Sequence, residues 1–537
     1  MAYWLSEAVI ACFDKGRNIE SMAPVRQGFQ TGNNDRFVRL WHEVSFGRTI
    51  LSAGCKEEVF ASGRKWVPYN KGGELRKWFG NNDYLVAFDQ ESYENLAVSG
   101  NCLPSRGYYF QPGVTWSAMG GTFGARLSPD GYTFSAKGAS AFPKGEDIWF
   151  ILSLLNSKVA DVMFEFLAPT LDFNVGAIRL IPIPDLSSDS VDDLKANARE
   201  LVKIAEKEWD SAETSWNFSC PQILRNKSEN VRVASLDFLK DRQAEILHAN
   251  SVTRAINMTL ISAYGLENEI SPESSSGEFE YLRPELTTES GRLISYAIGC
   301  MMGRYSLDEP GLIYAHAGNI GFDPSRYEKK FPADADGIVP VTDDRWFEDD
   351  AASRVREFMR AVWGLDTLDE NMAWLAENLG TKGAETPEET IRRYLADKFF
   401  KDHLQTYKKR PIYWLFSSGK LGAFQALVYL HRYHEGTLAR MRSEYVLPLT
   451  GKMQARMESL EVDIRRASST AERNKLTKQL DALRKQHHEL LAYDEKLRHY
   501  ADQRIAIDLD DGVKVNYGKF GDLLAEVKAV TGGAADE

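Results

Sequence analysis

A chain of 537 residues is too long for a single hydrophobic core and should divide into two to four domains. Its 43% apolar and 26% charged residues are those of an ordinary soluble globular protein, and no apolar run reaches the ~20 residues a membrane span needs. A formal charge of −12 argues against a coat that binds nucleic acid indiscriminately, so any DNA contact must come from local positive patches.

Residues 1–21 open as an amphipathic helix that begins abruptly, with an acid inside its apolar part and no basic leader, so they are not a signal peptide. Residues 22–185 alternate short strand-like runs with polar turns. Residues 38–63 alternate weakly, 81–89 read as a turn and a strand, and 108–117 join aromatic and β-branched residues across a Pro-Gly turn. Ser128-Pro-Asp-Gly131 is a turn followed by a strand, and 148–166 carry a helical apolar pattern with Asn156-Ser157 at its middle. Two stretches stand out here. Residues 24–37 and 64–78 concentrate Gly, Asn, Gln, Lys, Arg and aromatic side chains in turn-rich sequence. Amides can read a base edge with two hydrogen bonds, cations grip guanine or phosphate, and rings stack on bases. Their bland alternative is a solvated basic turn with tryptophans in the core.

After Pro184 the composition turns helical. Residues 186–265 form a connector with helices expected over 191–209 and 229–264, begun by a polar capping segment. Residues 266–350 form a mixed region with a mobile loop at 271–277, a buried helix at 293–303 and an acidic, loop-like stretch at 331–350. Residues 351–446 form a helical domain, including a helix at 390–403 and a basic turn, Lys408-Lys-Arg410, that leads into an aromatic strand. Residues 447–504 favour an antiparallel helical hairpin or spacer broken at Ser469, where Ser-Thr-Ala-Glu472 is a capping box. Residues 505–537 close the chain, with a disordered end expected after Thr531. The fold class is α+β: a mixed, short-stranded domain followed by a mainly α-helical region with a long hairpin.

Catalytic and metal motifs are weak. Five scattered cysteines, odd in number and never in a C-x-x-C pair, fit reduced thiols in a cytoplasmic protein and not a zinc site. Gly120-Gly-Thr-Phe-Gly124 lacks the Lys-Ser/Thr of a phosphate loop. Asp185 with Asp193-Leu-Lys195 matches a loose nuclease pattern, but acids at a helix start explain it better. His431, His434, His487 and His488 lack an H-E-x-x-H spacing and read as surface histidines.

The two polar stretches also carry a resemblance. Arg26-Gln-Gly-Phe-Gln-Thr-Gly-Asn-Asn-Asp-Arg-Phe37, Trp66-Val-Pro-Tyr-Asn-Lys-Gly-Gly-Glu-Leu-Arg-Lys-Trp78, Gly113-Val-Thr-Trp-Ser117 and Asp172-Phe-Asn-Val-Gly176 resemble the target-recognition region of PglX. PglX proteins are the adenine-specific DNA methyltransferases of bacterial BREX phage-defence systems. Motifs beginning at Ile294, Lys408 and Tyr500 resemble the same family, so the likeness covers nearly the whole chain. It implies that residues 22–185 are a target-recognition domain on double-stranded DNA, and that the helical remainder braces it and meets other BREX proteins. Gln27, Asn33, Asn34 and Asn70 would then touch base edges, and Arg36, Lys65, Lys71, Arg76 and Lys77 phosphate or guanine. Trp66, Tyr69 and Trp78 would stack or wedge at a base, or else pack. Thr31, Arg106, Ser117 and Asn174 complete the candidate DNA-contact set.

The family's glycine-containing S-adenosylmethionine loop and Asn-Pro-Pro-Tyr motif are absent. No cofactor, metal or catalytic residue is therefore expected in this chain, and S-adenosylmethionine is expected for a full-length parent. The chain reads as a C-terminal piece of such a parent or as one product of a divided gene. The competing class is an interaction scaffold in a defence complex, docking through residues 343–350 and the charged hairpin, with a DNA-mimic phage inhibitor as a further partner of the basic cleft.

Overall fold

The computed structural model describes residues 6–170, 172–273 and 279–532. Most of loop 271–277 and the end after Thr531, for which mobility and disorder were expected, lie outside them. The chain is α+β and mainly helical, and no helix among the described residues is long and apolar enough to cross a membrane. It divides into two compact units. The first comprises Met1–Trp41, Gly47–Trp216 and Phe238–Pro284; the second comprises His42–Phe46, Asn217–Asp237 and Glu285–Glu537. Segment 22–185 thus falls in the first unit apart from residues 42–46.

The first unit holds strands β1 (Val25–Arg26), β2 (Val38–Leu40), β3 (Trp66–Asn70), β4 (Tyr84–Ala87), β5 (Gly113–Trp116), β6 (Ala125–Ser128), β7 (Thr133–Phe134) and β8 (Ser140–Ala141). They make two four-stranded sheets, ordered β1-β8-β5-β6 and β2-β4-β3-β7. β3 changes partner along its length: residues 66–68 pair antiparallel with β4, and 69–70 pair parallel with β7. Pro68 stands at that changeover, where its missing N–H costs the ladder least. The apolar helices Asp147–Leu155 and Lys158–Leu167 and the inner face of Ser188–Trp209 share one core with the β1-β8-β5-β6 sheet.

The helical pattern over 148–166 is two helices, and the division has a structural cause. Buried Asn156 interrupts the helix and turns its amide on the backbone of β6. Its Oδ1 accepts from Ala125 N at 2.9 Å and its Nδ2 donates to Ala125 O at 3.0 Å, so one side chain engages both backbone groups of this residue. Ser157 then caps the second helix by accepting from Ala160 N.

Several elements differ from the sequence reading. Residues 38–63 hold a helix, Lys56–Ser62, with acids in its first turn and left-handed Gly63 as its stop, a pattern hidden by its two-turn length. Of the helix expected over 1–21, residues 1–5 lie outside the described residues, and the rest holds helix Glu7–Ala11 with a 3-10 turn behind it. The expected helix at 390–403 is two, Pro387–Asp397 and Phe399–Thr406, parted at Lys398, whose φ of −122° is not helical.

The second unit is built on an antiparallel sheet ordered β10-β11-β9, from β9 (Ile338–Pro340), β10 (Tyr413–Ser417) and β11 (Gln425–Tyr429). β9 lies inside the stretch read as loop, because its three residues are too few to show a pattern. The apolar helix Leu286–Met301 is buried, as its composition required. Helices Leu447–Arg466 and Thr470–Asp502 form the hairpin, with Ser469 as N-cap and Arg484 bonded to Glu461 at 2.8 Å.

The expectation that His431 lies on the surface is corrected: it is wholly buried, as are His42 and His403. His403 Nε2 accepts from the backbone N–H of Ile412 and Tyr413, both at 3.1 Å, and His431 Nε2 donates to Val44 O at 3.0 Å. Burial, reinforced by the Arg304 guanidinium, pushes the His403 and His431 imidazoles down to about 3 and drives His42 well below its ordinary value. The acidic docking face of residues 343–350 is also partly internal, since Asp350 is fully buried against Arg392 at 2.8 Å.

Two expectations follow from these contacts. Asn156→Ala leaves the buried N–H of Ala125 without its partner, while Ala125 O keeps the Trp78 N–H, and should lower stability by about 1–3 kcal/mol in denaturant titration; an unchanged stability would show that the amide is dispensable. The histidines act with acid. Their folded values lie below the unfolded ~6.5, so their contribution is complete above pH ~7 and fades as the pH falls and the unfolded chain binds protons. His403→Gln should therefore lose about 2 kcal/mol less stability than the parent between pH 7 and pH 5. Parallel pH profiles would contradict the buried neutral ring.

Candidate nucleic-acid interface

The two polar stretches singled out in the sequence meet in the first unit. Phe29, Gln30, Thr31, Gly32 and Asn34 form one wall of an open depression of ≈ 320 Å³; Tyr69 and Lys71 form the second, and Ser135, Ala136 and Lys137 the third. No carboxylate is among these lining residues. The walls are tied by backbone bonds: Phe29 N donates to Phe134 O at 3.1 Å and Ser135 N to Asn70 O at 2.8 Å. Close approach demands glycine twice. A Cβ on Gly28 would lie 1.9 Å from Phe134 O, and one on Gly138 would lie 2.3 Å from Asn70 O.

Asn101, unremarked in the sequence, clamps the first wall. Its Oδ1 accepts from Gln30 N at 2.7 Å and its Nδ2 donates to Gly28 O at 3.1 Å. Tyr69 donates its hydroxyl to Phe29 O at 2.9 Å, and burial holds its phenol above the usual range. Thr31 Oγ1 donates to Asn34 Oδ1 at 2.9 Å, which orients the Asn34 amide so that its N–H pair faces outward from the pairing. Asn33 caps the short helix Asn34–Phe37, and Arg36 lies exposed with its guanidinium over Phe37.

Of the candidate contacts, Thr31, Asn34, Tyr69 and Lys71 line the depression, and Gln27, Asn33 and Arg36 are exposed on the same loop. Lys65 is half-buried with its ammonium over Trp66. Others stand elsewhere. Trp66 and Trp78 are core residues with almost no exposed surface, so packing, the alternative to stacking, is what these rings do here. Asn70 is buried and donates to Ser128 Oγ at 2.7 Å; Lys77 is buried with its ammonium on Asn156 O at 3.2 Å. Arg76 is held by Glu208 at 2.6 Å and lies over Trp209. Arg106 bonds its own turn through Leu103 O and Cys102 O, Ser117 donates to Gly73 O at 3.0 Å, and Asn174 caps the helix Val175–Leu180. The nuclease pattern finds no support: Lys195 bonds Asp147 at 3.3 Å.

No family model matches the chain. Among curated proteins it aligns with the adenine-specific methyltransferase BrxX of Escherichia coli O9:H4 (strain HS), 41% identical over 564 residues that take in 100% of this chain and 45% of that protein. It also aligns with the adenine-specific methyltransferase PglX of Lacticaseibacillus casei (strain Zhang), 37% identical over 538 residues, 97% of this chain and 44% of that protein. The chain is homologous to the BrxX and PglX adenine-specific methyltransferases. It spans less than half the length of these relatives.

For a BrxX/PglX homologue, the depression adds residues that reading the sequence passed over: Gln30, Ser135 and Lys137. Lys137 could have been flagged as a lone cation in the turn after a strand, but its distance from residues 24–37 and 64–78 in the chain hid the association. Arg126 on β6 is buried, with Nη1 3.4 Å from Ser117 Oγ; burial and the neighbouring Arg76 push its guanidinium down to about 10. Amides at Gln30 and Asn34 can each offer a donor and an acceptor to a base edge, while Lys71 and Lys137 supply positive charge beside them. The chemistry is that of recognition of a polar, anionic ligand.

Asn101→Ala should free the Gln30 wall. Stability should fall by about 1–3 kcal/mol, with faster amide exchange at Gln30. Unchanged exchange there would mean that Asn101 does not hold the loop.

Proposed function

We propose that this chain is the part of a PglX-type adenine-specific DNA methyltransferase that reads the target site on duplex DNA. The observation that carries the reading is convergence: polar segments around residues 30, 70 and 136, far apart in sequence, surround one open, carboxylate-free depression rimmed by amides and lysines. Base-edge contact falls to Gln30 and Asn34, and phosphate or guanine contact to Arg36, Lys71 and Lys137. The buried Trp66, Trp78, Asn70 and Lys77 act as the frame that holds these groups.

Methyl transfer is assigned to the portion of the relatives that this chain does not span. The chain contains neither the glycine-containing S-adenosylmethionine loop nor the Asn-Pro-Pro-Tyr motif, so no residue here is given a step in that chemistry. In a BREX system the recognition would mark host DNA as self, with other BREX proteins meeting the helical second unit.

The test is selection from randomised duplexes followed by titration of the selected and scrambled sequences. The chain should prefer the selected duplex, and Asn34→Ala should weaken that binding by about 1–3 kcal/mol while relaxing one position of the site. Equal binding to selected and scrambled duplexes would refute the assignment.

A further inference from the structure

The tip of the hairpin in the second unit carries charge opposite to that of the chain. Residues 465–485 hold seven Lys or Arg against two acids, net +5, in a chain of net −12. Arg465, Arg466, Arg473, Lys475, Lys478 and Lys485 are all exposed, and none of the six makes an ion pair among the described residues. A merely solvated helix face interleaves its charges to limit self-repulsion. The base of the same hairpin does so, pairing Arg442 with Asp494 at 2.7 Å and Lys496 with Asp522. The tip does not.

Along the second helix Lys478 and Lys485 flank an open groove of ≈ 690 Å³, whose wall includes Asn474, Thr477 and half-exposed Leu421. The acids that reach this groove are engaged: Asp481 lies 3.7 Å from Arg484, and Asp343 accepts from Gln486 at 2.9 Å. The cations are arrayed and not convergent. At 1.5 Å rise per residue, Arg473, Lys478 and Lys485 follow one another roughly 7 and 10 Å apart along the axis, too far for one small anion to engage all three. No aromatic residue lies between 465 and 485 that could stack an unpaired base. A repeated line of negative charges, bound through cationic donors with no base reading, is the sugar–phosphate backbone of a duplex.

We propose that the hairpin tip is a second, sequence-blind DNA-contact surface that grips duplex phosphates, distinct from the depression that reads the site. This surface gives an acidic protein a foothold on a polyanion and needs no particular base sequence.

The test uses the full chain and a short duplex of arbitrary sequence, titrated across a salt series. The variant Arg465→Glu/Arg473→Glu/Lys475→Glu/Lys478→Glu changes only exposed side chains. Its slope of log affinity against log salt should be shallower by about 0.9 for each phosphate contact removed, hence by about 3–4, with at least a tenfold loss of affinity at low salt. The milder Lys475→Gln/Lys478→Gln should lie between. An unchanged slope overturns the proposal. So does an equal change on reversing four exposed lysines outside the tip and its groove, Lys144, Lys227, Lys401 and Lys528, because net charge alone would then suffice. If polyglutamate binds through the tip while the DNA slope stays unchanged, the surface belongs to an acidic protein and the proposal fails. A chain that never discriminates between duplexes, yet loses slope in the tip variant, refutes the recognition reading and keeps this one.

Discussion

Two hydrogen bonds between the Asn156 amide and the backbone of Ala125 hold the first unit together at its busiest point. Ala125 O also receives the N–H of Trp78, and Leu127 N donates to Trp78 O, so the segment that follows the glycine loop is laid beside β6. Asn156 O takes the Lys77 ammonium as well. The loop carrying Lys71 is therefore pinned at one end by β3 and at the other by this knot. A flexible basic loop would lose entropy on every contact; a pinned one has lost it already.

That arrangement divides the polar stretches between frame and face. In residues 64–78 strand β3 is buried along its whole length, with Trp66 and Asn70 on one face, while Lys71, the first residue past the strand, shares the face of Tyr69 and stands with it at the rim. In residues 24–37 the left-handed turn at Gly32 and the Asn33 cap lift Asn34 and Arg36 outward. The exposed polar groups thus occupy turns, which can change side chains without touching the core, while the tryptophans and the buried lysine lie in the frame beneath.

The second unit treats charge differently. Its interior buries Arg304 with hydrogen bonds to Tyr305 and Tyr429, pairs Arg392 with Asp350 and keeps three histidines neutral. Its exterior collects unpaired cations at the far end of one hairpin. Both features place positive charge where the sequence as a whole is acidic.

What the sequence by itself determined was the α+β class, the helices with capping residues and long periodic faces, the hairpin broken at Ser469, and the kinship with PglX. These rest on local signals: a cap, a period, a turn. Elements of two or three residues such as β9, and the two-turn helix Lys56–Ser62, carry too little pattern to be read. The site was half legible. Its residue types could be named, but which of them face outward could not, because Trp66 and Lys77 look the same as Lys71 in a string of letters. Only the tertiary structure brought Lys137 and Gln30 to the same depression and sent Asn70 and Lys77 to buried partners, since burial is set by pairing between strands far apart in the chain, and no local pattern records that pairing.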